Sequence, residues 1–312
     1  MKNVLVTGGC GFIGSNLAIA LKSEGYNVTI VDDLSSSRKD WKSVFTESDI
    51  EIVANCFASD EIIHRIEDNE FDIIFHNAAI PRVSYSVEHP FETTDVNIGK
   101  TVKLLESSKD NIERFIFASS SSVYGGADIL PTSVLHPKDP QSPYAWQKSS
   151  IEDLIKIFTN LYDFDAVCLR YFNVFGPGQF GGSAYSTAVS AWCHAIKNGD
   201  TLRSDGTGEQ TRDMCYVDNV VSANILAAKY KNKFLGNCYN VACGDRVSNN
   251  QILAFLKERH KNIEIQHAPS RPGDVMHTQA DITETYNDLK YEPTTRFWPG
   301  LEKTLSWWNL ND

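Results

Sequence analysis

The chain is short of positive charge: 29 Lys and Arg stand against 40 Asp and Glu, for a net charge of −11. That deficit argues against a nucleic acid or an anionic membrane surface as partner, and any anionic ligand must be met by a few local cations. Long hydrophobic runs are missing as well, and nothing approaches the length of a membrane span. The apolar stretch after Lys2 feeds directly into a turn, so it reads as a first strand and not as a secretory leader. The seven cysteines are odd in number and include no C-x-x-C pair, which points to reduced thiols in a cytoplasmic setting. His64, His76, His89 and His136 are scattered without ligand spacing, so no metal is expected. Internal repeats and low-complexity linkers are lacking too. What remains is globular in composition, 42% hydrophobic and 22% charged, and 312 residues suffice for two closely joined lobes.

The most informative stretch is Val4-Leu-Val-Thr-Gly8-Gly-Cys-Gly11-Phe12-Ile13-Gly14. A buried strand runs into glycines three apart and then into an apolar helical pattern through Leu17, Ala20 and Leu21. Glycine leaves room for a ligand against the backbone, and the following helix offers unpaired N–H groups and its positive dipole end to a pyrophosphate. Asp32 closes a second strand, Val28–Val31, eighteen residues beyond Gly14, where a carboxylate accepts the hydroxyls of an adenosine ribose. Asp32 and Asp33 repel a 2′-phosphate, which favours NAD over NADP; Arg38, in Ser35-Ser-Ser-Arg38-Lys39, is a nearby cation that could neutralise such a phosphate.

Further on, strand and helix signals alternate. Ile50–Val53, Phe71–Phe75, Phe115–Phe117 and Ala166–Tyr171 read as strands; Asp60–Glu67 and Phe91–Ser107 read as helices, the latter carrying Asn97 and Gly99. Ser142-Pro143 opens another helix, with serine as cap and proline in the first turn. This is an α/β chain with a parallel sheet covered by helices on both faces. Residues 1–172 form the dinucleotide-binding domain. The pattern shortens after Phe172, so residues 173–312 are assigned to a smaller lobe, with about 214–241 returning to the sheet. A substrate should lie beyond the carboxyl ends of the strands, between the lobes.

The chemistry is expected at Ser120, Tyr144 and Lys148. Tyr144 and Lys148 are four apart on a helix and share a face. A phenol near pKa ~10 is a poor base at neutral pH, and a neighbouring ammonium and a cationic nicotinamide would lower it. Ser120 could bond the same substrate oxygen. Taken alone, Tyr144 and Lys148 would be an ordinary surface pair; the dinucleotide loop upstream changes that reading.

Several motifs run together over nearly the whole chain: Thr7-Gly-x-x-Gly11-x-x-Gly14, His76-x-Ala78-Ala79, Ser120-x-x-Val-Tyr-Gly125 and Tyr144-x-x-x-Lys148. They continue with Arg170-Tyr171-Phe-Asn173-Val-Phe-Gly-Pro177, Gln210-Thr-Arg212-Asp213 and Arg271-Pro-Gly-Asp274. In this combination the chain resembles the extended short-chain dehydrogenase/reductases, specifically the UDP-hexose 4-epimerases. The resemblance implies a Rossmann-type doubly wound sheet with a smaller C-terminal α/β substrate lobe. It makes Tyr144 the base, Ser120 its partner on the substrate oxygen, and Lys148 a further holder of the nicotinamide ribose. NAD would be held by Gly8, Gly11, Phe12, Ile13, Gly14, Asp32, Asp33, Ala78, Ala79, Asn97 and Tyr171. Asn173, Arg212, Arg271 and Asp274 would hold the nucleotide diphosphate and its ribose, with Ser121, Ser122, Gln179, Tyr185 and Thr278 around the sugar. From the residues alone, Arg212 could equally pair with Glu209 or Asp213, and Arg271 could decorate a turn. A homodimer through the Phe91–Ser107 and Pro143–Leu161 helices is also implied.

Thr278, seven residues beyond Arg271, matches a position that borders the sugar C2 substituent. Tyrosine there accompanies restriction to glucose and galactose, so the smaller threonine implies the UDP-GlcNAc/UDP-GalNAc pair, with UDP-Glc/UDP-Gal as a second pair. Nucleotide-sugar 4,6-dehydratases carry an Asp-Glu pair where this chain has Ser121-Ser122, and UDP-glucuronate decarboxylases tend to have glutamate at Ser122. A non-catalytic NAD(H)-binding sensor is the alternative of a different class, and the complete Ser120, Tyr144 and Lys148 set argues against it. One departure stands out. The family places Gly-Asp-Ile/Leu after the third strand, with the aspartate on adenine; here the stretch is Ala54-Asn-Cys-Phe57-Ala-Ser-Asp60, and Phe57 is left to pack on the base.

Overall fold

The computed structural model describes residues 1–182, 186–270 and 275–310. Seven parallel strands make the central sheet: β1 (Asn3–Thr7), β2 (Asn27–Asp32), β3 (Glu51–Ala54), β4 (Ile73–His76), β5 (Arg114–Ser120), β6 (Ala166–Tyr171) and β7 (Leu235–Val241), in the order β7-β6-β5-β4-β1-β2-β3. Their near-continuous apolar sequences follow from burial on both faces. In β1, Val4 and Val6 point to one core and Leu5 to the other; in β5, Ile116 and Ala118 oppose Phe115 and Phe117.

Helices α1 (Phe12–Ser23), α2 (Asp60–Glu67), α3 (Pro143–Tyr162) and α4 (Val217–Lys229) divide between those faces. Leu17, Leu21, Val220 and Ala227 of α1 and α4 share a core with Val4 and Val6. Ile62 and Ile66 of α2 and Ile151 and Ile155 of α3 pack with Leu5, Phe115 and Phe117 on the other face. A doubly wound sheet follows, and strand order reverses between β1 and β4, which opens a crevice at their carboxyl ends.

The long helix expected over Phe91–Ser107 is built in three joined parts, Pro90–Thr94, Asp95–Lys100 and Thr101–Ser108, the middle one π-helical. A short helix, Val83–Glu88, precedes it. Beyond Phe172 a third core gathers Phe175, Trp192, Leu202, Leu253, Leu256, Leu301, Leu305 and Trp308. Within the same region Cys215–Tyr216 pairs with Val174–Phe175, α4 covers the central sheet, and β7 adds its edge strand beside β6.

Candidate active site

A cavity of about 1030 Å³ lies over the carboxyl ends of the strands. Its floor is the glycine turn. Gly8 has φ +67, and a Cβ there would lie 2.9 Å from the Cα of Ala78; one on Gly14 would lie 2.1 Å from the Gly8 carbonyl oxygen. The turn therefore closes tightly on itself and on the loop after β4. Gly11 caps α1 and spends its own N–H on the Gly8 carbonyl at 3.2 Å, while Phe12, Ile13 and Gly14 of the first turn line the cavity, where a helix start leaves N–H groups without intrahelical partners. Cys10, inside this turn, is a buried core residue, and burial pushes its thiol up to about 12, which makes it inert packing.

Asp32 accepts from the Cys10 N–H at 2.9 Å and the Leu34 N–H at 2.8 Å, one on each oxygen, which leaves each oxygen a lone pair for a ribose. Burial raises its pKa. Asp33 lines the same wall and accepts from Ser35. Arg38 is engaged elsewhere: it makes a two-pronged pair with Asp40 at 2.6 and 2.8 Å and donates to Ser15 at 3.0 Å. The cation that could have met a 2′-phosphate is thus already paired. Asp32→Ala is expected to shift the ratio of NADP to NAD affinity about tenfold toward NADP, the effect of one lost repulsion at a part-screened site. Titration of both dinucleotides checks it, and an unchanged ratio would contradict this role of Asp32.

At the end of β4, His76 is clamped by Thr7 at 2.7 Å and Thr101 at 3.0 Å, and burial lowers its pKa to about 3, so the ring stays neutral. Ala78 and Ala79 then form a thin wall of the cavity. Asn97, expected at the cofactor, sits behind that wall. Its side chain accepts from the Ile80 N–H at 2.8 Å and donates to the Ile80 carbonyl at 3.2 Å and to Gln147 at 2.8 Å. The π turn carries Asn97 to this place. Gln147, also bonded to Thr93 and Thr94, ties that helix to α3; its fixed distance from Tyr144 gave no hint of this, because the partners lie fifty residues away.

Ser142 caps α3 by accepting from the Ala145 N–H at 3.2 Å, and Ser86 accepts from the Tyr144 N–H at 3.1 Å, so the first turn is pinned at two points. The Tyr144 phenol is buried and lines the same cavity as Ser120; burial pushes its pKa up to about 12, with the Ser120 hydroxyl acting in the opposite direction. Burial lowers Lys148 to about 7. Its ammonium donates to the Ala118 carbonyl at 2.7 Å and lies 5.9 Å from the Tyr144 ring centroid. The lysine is therefore anchored to β5 and lies over the tyrosine ring without a hydrogen bond to its hydroxyl. A positive charge arriving with the nicotinamide is what would lower the tyrosine.

Tyr171 lines the cavity and exchanges hydrogen bonds with Asn224 at 2.8 and 3.1 Å. Ser121, Ser122, Gln179 and Arg212 are on the wall as well, and the Ser122 hydroxyl is buried without a partner among the described residues. Gln179 donates to the Val174 carbonyl at 3.0 Å. Arg212 donates to the Thr211 and Met276 carbonyls at 3.0 and 3.2 Å. Thr278 accepts from Asn173 at 3.3 Å and from the Asp213 N–H at 3.1 Å. Asp213 is buried, and its carboxylate gathers the N–H groups of Cys243, Gly244 and Ala280 at 2.9, 3.0 and 3.0 Å; burial pushes its pKa up to about 7. It is a brace for the wall that carries Thr278, which its place beside Arg212 in the sequence did not reveal. Tyr185, Arg271 and Asp274 lie outside the described residues.

The residues present fit NAD: a cradle that any Cβ would fill, open N–H groups at α1, and a ribose-facing carboxylate with spare lone pairs. Asp60, the acid nearest the missing adenine contact, instead pairs with Lys103 at 2.8 Å in solvent, while Phe57 lines the cavity. Among the described residues no cluster of His, Cys, Asp or Glu could hold a metal ion, and no helix is long and apolar enough to cross a membrane.

Residues 4–242 match the NAD dependent epimerase/dehydratase family. A UDP-glucose 4-epimerase from Mycolicibacterium smegmatis is 32% identical, with 96% of each chain covered. Among solved structures, UDP-N-acetylglucosamine 4-epimerase from Methanobrevibacter ruminantium, in complex with UDP-N-acetylmuramic acid, is 35% identical with a TM-score of 0.91, covering 99% of this chain and 98% of that one. UDP-glucose 4-epimerase from Thermotoga maritima, with UDP-glucose, is 32% identical with a TM-score of 0.91 and 98% coverage of both.

Proposed function

The chain belongs to the NAD-dependent epimerase/dehydratase family, and we propose that it inverts C4 of a UDP-linked hexose, interconverting UDP-GlcNAc and UDP-GalNAc, with UDP-Glc and UDP-Gal as a second pair. The observation that carries this reading is the Tyr144–Ser120 pair facing the same cavity as the glycine cradle, with Ser121-Ser122 where dehydratases need an acid and a base. Bound in the cradle, NAD supplies a reversible hydride acceptor. Tyr144 takes the proton of the sugar 4-hydroxyl and later returns it, while Ser120 holds the oxygen. The nucleotide, tethered by Asn173, Arg212, Arg271 and Asp274, lets the 4-keto sugar present either face without leaving. Proton and hydride both come back, so no net oxidation results.

The second lobe, 173–312, supplies the sugar-nucleotide wall, and residues 214–241 rejoin the sheet of the first. Seven free thiols suit a cytoplasmic enzyme. Phe91, Trp146, Ile157 and Leu161 are exposed apolar residues on the two helices assigned to a homodimer, and light scattering that finds only monomer would remove that assembly. For the reaction itself, NAD-loaded protein mixed with each UDP-sugar should show transient nicotinamide reduction and, at equilibrium, both C4 epimers. A dehydrated or decarboxylated product would select one of the neighbouring activities, and no product at all would select a sensor.

A further inference from the structure

Glu152 lies on α3 four residues beyond Lys148, as Lys148 lies four beyond Tyr144, so the three share one face of the helix. The proposed reaction uses the first two and leaves the third unexplained. Glu152 is 2% exposed, and Arg170 of β6, its partner, is 4% exposed. Their pair is two-pronged, Nε to Oε1 and Nη2 to Oε2, each at 2.8 Å, and Lys138 approaches Oε2 at 3.6 Å. A buried ion pair is a poor source of stability, because both charges are taken out of water to make it. Its place in the fold is more informative.

Oε1 of Glu152 also accepts from the Ser119 hydroxyl at 2.6 Å, and Ser119 stands directly across from Arg170 on the neighbouring strand. Ser119 comes between Ala118, whose carbonyl accepts from Lys148 at 2.7 Å, and Ser120, which lines the cavity with Tyr144. Two of the last three residues of β5 are thus fastened to α3 by side chains of this one face. Past Ser120 the grip continues. Arg170 Nη1 donates to the Tyr124 hydroxyl at 2.7 Å and to the Val134 carbonyl at 3.0 Å, and the Tyr124 hydroxyl donates to Asn240 at 2.6 Å. The Ser120 side chain accepts from the Ser122 N–H at 3.2 Å, a bond within the same loop that leaves its distance from α3 to be set by its neighbours.

We propose that Glu152 is a positioning residue for the 4-epimerisation: through Ser119, and through Arg170 to Tyr124, it sets where the Ser120 hydroxyl stands relative to the Tyr144 phenol. Both groups must meet one substrate oxygen, and a misplacement of about 1 Å costs about 10²-fold in rate. Glu152 acts only through these neighbours. The inference rests on Tyr144 and Ser120 acting at the sugar 4-oxygen, and it is independent of which UDP-sugar is turned over.

The test uses the full NAD-loaded chain, with kcat and KM for UDP-sugar measured well below the melting temperature of each variant. Ser119→Ala keeps every charge and removes only the link from Glu152 to β5. It should lower kcat about tenfold, the size of one lost hydrogen bond, while KM, NAD affinity and melting temperature stay near those of wild type. Glu152→Gln leaves Arg170 without its counter-charge; it should lose about 10²-fold in kcat and melt lower. Adding Ser119→Ala to it should cost less than the tenfold seen alone, since the two residues act through one link. Ser119→Ala with wild-type kcat overturns the proposal, and decides it even where Glu152→Gln fails to fold. Effects that add fully in the double variant overturn it as well, as does a Glu152→Gln protein that melts lower but turns over normally, because the pair would then only hold the fold. A wild type that converts no UDP-sugar removes the proposed function and this inference together, whereas active variants beside an active wild type remove this inference alone.

Discussion

Tyr144→Phe should lose turnover by about 10³-fold or more, while its affinities for NAD and UDP-sugar stay within a few fold of wild type. The substitution removes one oxygen and keeps the ring, so the packing around this buried side chain persists. Neither His76 nor Lys148 is suited to take over. His76 is neutral, boxed between two threonine hydroxyls, and its pKa of about 3 makes it a feeble base; Lys148 is tied to the Ala118 carbonyl. Ser120 remains to bond the substrate oxygen but has no means of removing its proton. The pH dependence adds a second readout. Because burial holds the phenol up to about 12, only a small fraction is ionised near neutrality, and wild-type turnover should rise with pH as that fraction grows. Cationic nicotinamide moves the rise to lower pH without changing its sign. In Tyr144→Phe the residual rate should be flat across the same range. A near-wild-type rate, or a rise with pH that survives in the variant, would remove Tyr144 as the base.

Much of this was legible in the sequence where local chemistry decides the structure. Asp60–Glu67 and Ala166–Tyr171 occur over the expected residues, and Ser142-Pro143 opens a helix as its capping chemistry requires. The glycine turn was readable because its constraint lies within a few residues. Groups whose role depends on distant partners were not. Lys148 shares a helix face with Tyr144 as expected and its ammonium lies 5.9 Å from that ring centroid, but the spacing did not reveal that it also donates to a carbonyl of β5. Asn97 was placed on the cofactor by motif, but the π turn and Gln147 hold it against the Ile80 backbone. A π turn inserts one residue into a helical repeat, and the surrounding apolar pattern is too coarse to register it. Arg38 was a free cation in the sequence and a paired one in the fold, since Asp40 is only two residues away and the turn at 38–41 brings the two together.

Sugar selectivity should respond to Thr278→Tyr with a loss of about 10²-fold in kcat/KM for UDP-GlcNAc and UDP-GalNAc, and a change of only a few fold for UDP-Glc and UDP-Gal. Thr278 lies on the cavity wall, and tyrosine would fill the room an acetamido group requires. A buried amide also needs a hydrogen-bond partner or it is penalised, so a pocket that merely has space is not enough. The Ser122 hydroxyl, which lines the same cavity and has no partner among the described residues, can supply one. The substitution has a structural side as well: the Thr278 hydroxyl oxygen accepts from Asn173 and from the Asp213 N–H, and both donors would lose it. Asp213 itself stays anchored through its carboxylate to Cys243, Gly244 and Ala280, so the wall should hold its course. For that reason the two sugar pairs must be compared within the same variant: damage to the wall lowers both, whereas filled space lowers only the N-acetylated pair. Wild type that rejects N-acetylated sugars, or a tyrosine variant whose discrimination is unchanged, would show that Thr278 packs the wall without reading C2.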